Sequence, residues 1–321
     1  MAPQAGAPHN PLHSASIPQG VALRVGRATG GPLTGPVTRM PALSPMPEPR
    51  NPPALGLYAF AAAALFLGVL GLVWSDFAVN WQRVGLAVPH RAALARLAAL
   101  VELACGLGLL WPRTRRAAAG LLTALYAIFV VLWIVPAVAH PAIYDSWGNV
   151  FEELSLVFGG LVLFAAPASP VSPWARRRRL IGRLYGICPI SCGTDHLVYL
   201  AGAAAVVPRW IPPGQKFWVI ATADFFFLAA IAILSGILAG LAARLLTVMI
   251  LLFGALIWAP KLAAAPHTHF FWSANAINFA LAAAAWVVSD ALSEPARSAR
   301  SPARPMAILE RIDDYRNRTA V

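Results

Sequence analysis

Eight apolar runs, most of them long enough for one membrane crossing, limit how this chain can fold more than any other feature. A helix of about 20 apolar residues spans the hydrocarbon core of a bilayer. Inside that core every backbone N–H and C=O group must be bonded within the protein, which helices achieve. The sequence therefore predicts an all-α transmembrane protein, with helices at 54–74, 92–111, 117–139, 149–166, 184–207, 217–238, 241–261 and 272–292.

The composition agrees with a chain that lies in a lipid bilayer. Hydrophobic residues make up 59% and charged residues 12% of the chain, against roughly 45–50% and 25% in soluble domains. A net charge of +12 would favour nucleic acid as a partner of a soluble protein. Here the arginines separate apolar runs, so we expect no nucleic acid partner. Three cysteines are too few for a disulfide scaffold.

The chain divides into five predicted parts. Residues 1–53 are rich in Pro, Gly and Ser and are predicted to be disordered, because such a segment buries too little apolar surface. They lack the apolar core of a signal peptide. A start at Met40 or Met46 is our expectation, which would leave residues 1–39 out of the native protein. The other parts are two four-helix membrane bundles at 54–168 and 184–292, a basic cytoplasmic linker at 169–183 and a cytoplasmic tail at 293–321.

The distribution of basic residues predicts the orientation of the helices. Of the 25 Lys and Arg residues, 19 lie in the two terminal segments and the loops after predicted helices two, four and six, and 6 lie on the other side. Loops on the cytoplasmic side carry the excess of Lys and Arg. We therefore expect both termini in the cytoplasm, with a bacterial inner membrane as the location.

The two halves of the chain match each other in sequence, which indicates an internal repeat. Because each half holds an even number of helices, the halves would run in the same direction, related by an axis near the membrane normal rather than by inversion. The most informative matches, at offsets of 122 to 126 residues, are Gly71 with Gly193, Glu102 with Asp224, Phe129 with Phe253, Pro136 with Pro260, Asn149 with Asn275 and Glu152 with Asn278.

Both halves also share an order of short motifs. A glycine near the end of one helix is followed by Val-Pro, then by an acid inside the next helix and by an arginine-containing turn. These residues are Gly71, Val88, Pro89, Glu102 and Arg113 in the first half, and Gly193, Val207, Pro208 and Asp224 in the second, where His196 closes the first helix.

This order resembles the DoxX-like family of small four-helix membrane proteins. The resemblance implies two fused DoxX-like units over 54–292. It also implies association with membrane complexes that pass electrons from sulfur compounds to quinone. Two departures are Trp74, where the family has His, and Asp224, where it usually has Glu.

Polar side chains within the apolar runs are the candidate site residues, because polar groups in hydrocarbon are costly and need a partner or a use. We expect a polar pocket near the outer leaflet that binds a quinone headgroup. His196 would donate a hydrogen bond, and Asp224 would orient it or relay a proton. Alternatively, these groups bond across helices and only fix the packing. The candidates are His196, Asp224, Asn275 and Asn278 in the second half, and Glu102, Asn149 and Glu152 in the first.

The Cys-Pro-Ile-Ser-Cys segment is a weaker candidate. Cys188, Cys192 and His196 recur every four residues on one helical stripe. That stripe rises about 12 Å, so one metal ion could reach only an adjacent pair, such as Cys192 with His196. A disulfide would require a break in the helix near Pro189. Two buried thiols, with no metal site, are the expected state.

Three functions are consistent with the sequence. The first is a redox-associated subunit that contacts quinone or another redox membrane subunit. The second is a small-solute or proton-coupled transporter, and the third is a structural or assembly protein without a site of its own. The sequence contains no phosphate-binding loop, dinucleotide fingerprint, zinc-protease motif or nucleophile elbow. It therefore provides no self-contained catalytic motif.

Overall fold

The computed structural model describes residues 55–166 and 172–293. All regular secondary structure in these two ranges is helical. The predictions of a disordered segment at 1–53, of the start position and of the tail beyond 293 lie outside the described residues.

The helices follow the predicted apolar runs closely. The first half contains α1 (Leu55–Trp74), α2 (Arg91–Leu110), α3 (Arg115–Ala139) and α4 (Tyr144–Phe164). The second half contains α5 (Pro173–Leu184), α6 (Ile187–Val198), α7 (Leu200–Val206), α8 (Gln215–Ser235), α9 (Ala239–Phe253), a π-helical turn (Gly254–Trp258), α10 (Ala259–Ala264) and α11 (His269–Ser293).

Seven helices in the described ranges are long and apolar enough to cross a membrane, which indicates an integral membrane protein. They are α1, α2, α3, α4, α8, α11 and the continuous segment Ala239–Ala264. Eight spanning helices were expected. The fifth run, 184–207, does not form one long helix, because Tyr199 has non-helical dihedral angles (φ −106°, ψ 37°) and separates α6 from α7.

Part of the predicted basic linker is helical. Ser172 caps α5, since its hydroxyl oxygen accepts a hydrogen bond from the Trp174 N–H at 3.3 Å, and Pro173 occupies the first turn, where its missing N–H is not needed. The guanidinium groups of Arg116 and Arg177 lie over the Trp174 ring at 4.6 and 4.9 Å. The arginines of this region therefore pack on an aromatic side chain.

The helices begin and end at two opposite sides of the helical bundle, which we call the terminal end and the distal end. At the terminal end, which holds the start of α1 and the finish of α11, the Gly56 N–H donates to Asp290 at 2.9 Å and the Ser289 hydroxyl donates to the Gly240 carbonyl at 2.9 Å. At the distal end, the Val79 N–H donates to the Ser273 hydroxyl at 3.1 Å.

The fifth apolar run also connects these two ends. Gly186, just before α6, packs against Ala230 and Leu234 near the terminal end of α8. At the other side of α6, the Tyr199 hydroxyl accepts a hydrogen bond from the Asp145 N–H at 3.1 Å at the distal end. Although divided, the segment crosses between the two ends as a spanning helix would.

The alanine-rich helix α11 lies at the centre and packs against α1, α4 and α9. Small residues allow these close contacts, as is common between helices in membranes. A Cβ atom on Gly56 would lie 2.6 Å from the backbone nitrogen of Val287, so no larger residue fits there. Tyr126 and Phe129 of α3 and Leu109 of α2 fill much of the core in the first half.

Candidate ligand-binding cavity

A cavity of about 550 Å³ lies between α4 of the first half and α6, α8, α9 and α11 of the second half. Its volume falls within the roughly 300–1,000 Å³ typical of small-molecule sites. Apolar side chains form most of its wall. Those on which the argument depends are Phe225, Phe226, Ile250, Leu252, Phe253, Leu256 and Ile257.

The cavity opens sideways between α8 and α9. Phe225, Leu252 and Leu256 line it, and they are also 55%, 50% and 37% exposed on the outer surface of the helices. An outer surface formed by spanning helices faces lipid tails. A ligand dissolved in the bilayer could therefore enter without passing through water.

The distal part of the cavity contains polar side chains from α4 and α6. Glu152 lines it, and the Glu152 carboxylate accepts a hydrogen bond from the Trp81 indole N–H at 2.6 Å. Asp195 lines it from α6 and lies beside Gly148 of α4, where a Cβ atom would be 3.4 Å from the Asp195 Oδ1. Gly148 thus leaves room for the second carboxylate.

His196 lines the same part of the cavity with a defined orientation. Its Nδ1 lies 2.8 Å from the Cys192 carbonyl oxygen, and its ring lies against Phe226 and Phe253 at centroid distances of 5.2 and 6.0 Å. A carbonyl oxygen can only accept, so Nδ1 carries the proton. In the neutral ring Nε2 is then an acceptor, which differs from the predicted role of His196 as a donor.

The polar part of the cavity presents more acceptors than donors. The Trp81 N–H is used by Glu152, and the Thr222 hydroxyl donates to the Trp218 carbonyl at 2.8 Å. The His196 Nε2 and the carboxylate oxygens of Glu152 and Asp195 are the acceptors available to a ligand at this end of the cavity. The arrangement suits a headgroup that carries O–H or N–H groups.

The other predicted residues of the second half have different surroundings. Asn278 lines the cavity, but its side-chain amide donates to the Ile250 carbonyl at 2.9 Å. Asn275 donates to the Trp258 carbonyl at 3.1 Å, at the π-helical turn that precedes Pro260. A π-helical turn disturbs the regular backbone bonding of an α-helix, and the two amides bond to one backbone oxygen just before the turn and to one at its last residue.

Asp224 is not part of the cavity. It is exposed on α8, and it makes no hydrogen bond or ion pair within the described ranges. The structure therefore does not bring Asp224 to His196, and the expected orienting role of Asp224 is wrong. Asp195, the direct neighbour of His196 in sequence, lies at the cavity instead.

Two acids of the first half lie in the packed interior: the predicted site residue Glu102 and its neighbour in space on α4, Glu153, which was not among the predicted site residues. Glu102 is 1% exposed and accepts a hydrogen bond from the Gln82 side chain at 2.7 Å, and the Gln82 oxygen accepts from the Ala78 N–H at 3.1 Å. Glu153 is also 1% exposed, and neither of its oxygens has a hydrogen-bond partner among the described residues. Asn149 donates to the Asp145 carbonyl at 2.8 Å, one turn earlier in α4.

The cysteines are free thiols in the described ranges. Cys188 is buried and Cys192 lines the cavity. Helix α6 runs unbroken past Pro189 because this proline lies in the first turn of the helix, where its lack of an N–H is tolerated. No group of three or more His, Cys, Asp or Glu side chains that could hold a metal ion occurs in the described part of the chain.

Two residues that bond to the predicted acids were missed in the sequence, Trp81 at the cavity and Gln82 in the packed interior. Trp81 and Gln82 belong to the loop between α1 and α2, which folds back between the helices so that each side chain meets a carboxylate. The sequence signal for them is that Glu102 and Glu152 lie inside predicted helices with no donor assigned to either. A buried carboxylate requires a hydrogen-bond donor, so a donor from a neighbouring loop should have been sought.

Comparison with models of known families, with curated proteins and with solved structures gives no match to this chain. The resemblance to the DoxX-like family therefore stays a prediction from sequence motifs. The function has to be argued from the cavity itself.

Proposed function

We propose that the protein binds a quinol, the reduced form of a membrane quinone, in this cavity and acts as a redox-associated membrane subunit. One observation carries the proposal: a cavity that is open to lipid on its apolar side ends in a group of hydrogen-bond acceptors. A quinol has the matching chemistry, with two hydroxyl donors on a ring that carries an apolar tail.

In this proposal the residues position the ligand. The His196 Nε2 accepts a hydrogen bond from one hydroxyl, because Nδ1 is held by the Cys192 carbonyl. Glu152, fixed by Trp81, accepts from the headgroup on the α4 side. The tail leaves between Phe225 and Leu252, where the cavity reaches the lipid. Electron transfer itself belongs to a partner subunit.

We further propose that the chain consists of two fused four-helix DoxX-like units. Support comes from the helix contacts, which are paired in the way that a twofold relation between the halves requires. Taking α6 with α7 as the fifth crossing, α1 packs on α11 (first with eighth), and α4 packs on α6 (fourth with fifth). The twofold relation would exchange the fourth and eighth crossings, and these two helices, α4 and α11, pack on each other.

The proposed location is a bacterial inner membrane with both chain termini on the cytoplasmic side. In the described ranges the terminal end carries nine basic residues and the distal end six. The nine are Arg113, Arg115, Arg116, Arg176, Arg177, Arg178, Arg179, Arg183 and Arg244, and the six are Arg83, Arg91, Arg96, Arg209, Lys216 and Lys261. This bias supports a cytoplasmic terminal end, which places the polar part of the cavity towards the outer leaflet.

The test begins with the protein purified gently from its native membrane, followed by organic extraction and mass spectrometry. The expected result is a quinone or quinol in a fixed ratio to protein, greatly reduced in His196→Phe, which removes the acceptor while keeping a ring. Thr194→Val, at a half-buried position on the same helix that does not line the cavity, is the matched control and should retain the ligand. A protein that carries no quinone, and that binds none when reconstituted with a short-chain quinol, would overturn the proposal.

A proton-coupled transporter of amphipathic amines is the second candidate, and the two carboxylates at the cavity favour it. Glu152 and Asp195 could bind a cationic headgroup, and Glu153 is a buried carboxyl group without a described partner. Vesicles with an imposed pH gradient would show uptake of a labelled lipophilic amine, and Glu152→Gln would abolish it. Quinol binding without amine movement would reject this candidate.

A further inference from the structure

The lipid-facing side of α8 carries an acid in the middle of the membrane span. Asp224 lies nine residues from the first residue of α8 and eleven from the last, so it is about 13 to 17 Å from either end of the helix. Its neighbours on the same face, at helical spacing, are exposed and apolar: Phe217, Ile220, Leu228 and Ile231.

An acid in this position is unfavourable in a molecule surrounded only by lipid. Charged side chains within membrane spans almost always face the protein interior or water, or pair with another group. Asp224 does none of these within the described ranges, since it is exposed and makes no described hydrogen bond or ion pair. The residue therefore requires a partner from outside this chain's described helices.

We propose that this face of α8, defined by Ile220, Asp224 and Leu228, binds a transmembrane helix of a different protein that carries a Lys or Arg at mid-membrane depth. Charge complementarity selects this occupant. No Lys or Arg in the described ranges lies in the middle third of a spanning helix. The described helices of a second copy therefore offer no Lys or Arg at mid-membrane depth to pair with Asp224.

The inference is independent of the ligand in the cavity. Phe225 lies between the two surfaces and contributes to the cavity wall, but Asp224 does not line the cavity. A partner helix on this face would lie beside the lateral opening between α8 and α9. The protein purified without this partner should therefore still bind its ligand in the cavity.

The first experiment uses the full-length protein in lipid vesicles with two synthetic transmembrane peptides. Both are Leu/Ala helices of about 20 residues; one has Lys at its centre and the other norleucine. Energy transfer between labelled protein and labelled peptide should show binding of the Lys peptide tighter by about threefold to twentyfold, the range expected for one polar contact within a membrane. Asp224→Asn should remove the difference, Asp224→Glu should keep it, and Asp224→Lys should transfer the preference to a Glu-centred peptide.

The second experiment identifies the natural partner in native membranes. A photoreactive amino acid at Leu228, one turn from Asp224, is compared with one at Val131, an exposed position on α3. The expected product at position 228 alone is an adduct to a transmembrane peptide that contains Lys or Arg. Equal binding of the two synthetic peptides would overturn the proposal, as would adducts only with lipid or with a second copy of this chain.

Discussion

Residues that correspond to each other in the proposed repeat are packed in the core of the first half and line an open cavity in the second. An offset of 124 residues, which matches Phe129 with Phe253, also matches Tyr126 with Ile250 and Trp133 with Ile257. In the first half the three aromatic side chains of α3 are buried, at 2%, 2% and 4% exposure. In the second half the three residues of α9 and the π-helical turn line the cavity. Two smaller side chains in place of two large aromatic ones account for open space in one half.

Some polar residues of the two halves show the same contrast between packed and open surroundings. In the first half Glu102 and Gln82 bond to each other in the interior, and Trp74, which corresponds to His196 in the proposed repeat, stacks on His269 with a centroid distance of 4.8 Å. In the second half His196 faces the cavity and Asp224 faces outward. Glu102 and Trp74 of the first half therefore contribute to packing, whereas His196 of the second half is available for binding; Glu152 of α4 is the first-half residue that also reaches the cavity.

The largest effect is expected from opening the filled half. Trp133→Ala should lower the free energy of unfolding by about 3–5 kcal/mol, because it removes a buried aromatic ring and leaves a cavity. It also removes the indole hydrogen bond to the Trp81 carbonyl. Unfolding in detergent micelles with increasing dodecyl sulfate would measure the change. Trp210→Ala, at a residue 72% exposed, is the control, with an effect below about 0.5 kcal/mol; equal losses in both variants would contradict the assignment of Trp133 to the core.

Filling the cavity of the second half with a larger side chain should strongly weaken quinol binding with little loss of stability. Ile257→Trp copies the residue of the first half into the cavity and should weaken quinol binding by about 100-fold, or roughly 2.7 kcal/mol. Titration of the purified protein with a short-chain quinol would measure it. Val131→Trp adds the same ring to the outer surface of α3 and should leave the affinity unchanged. Unaltered binding in Ile257→Trp would place the ligand elsewhere.

Most of the fold could be predicted from the sequence, because the length of an apolar run reports directly on a membrane crossing. The rotation of each helix about its axis could not. In a membrane the side chains that face lipid are as apolar as those that face the protein, so no polar face marks the outside of α8. For this reason Asp224 was assigned to the pocket, although it lies on the outer surface.

Only part of the site could be predicted from the sequence. His196 and Glu152 were recognisable as polar residues within apolar runs, and both line the cavity. Trp81 and Gln82 could not be assigned, because a loop that folds back between helices leaves no periodic signal. The division of the fifth run at Tyr199 was also not predicted, since the run is apolar on both sides of the break.

The His196→Ala variant tests whether the His196 side chain accepts a hydrogen bond from the ligand, and its expected effect is smaller. His196→Ala should weaken quinol binding by about tenfold, equivalent to roughly 1.4 kcal/mol for a lost hydrogen bond. The same variant should change the affinity for the oxidised quinone less, because a quinone carbonyl has no hydrogen to offer to the Nε2 atom. Paired titrations with the two redox forms would measure the difference. A variant that loses quinone and quinol affinity equally would assign His196 a packing role, as for Trp74 in the first half.

Two buried carboxyl groups of the filled half, those of Glu102 and Glu153, should differ in the sign of the stability change when each is replaced by leucine. Glu102→Leu should lower the free energy of unfolding by about 1–3 kcal/mol, because the Gln82 amide loses its acceptor inside the protein. Glu153→Leu should instead raise it by about 1 kcal/mol, because an unpartnered buried polar group is replaced by an apolar one. The same dodecyl sulfate unfolding assay measures both variants. If Glu153→Leu proves as destabilising as Glu102→Leu, Glu153 must have a bonding partner in the membrane-embedded protein, and the filled half would then hold a second polar site rather than packing alone.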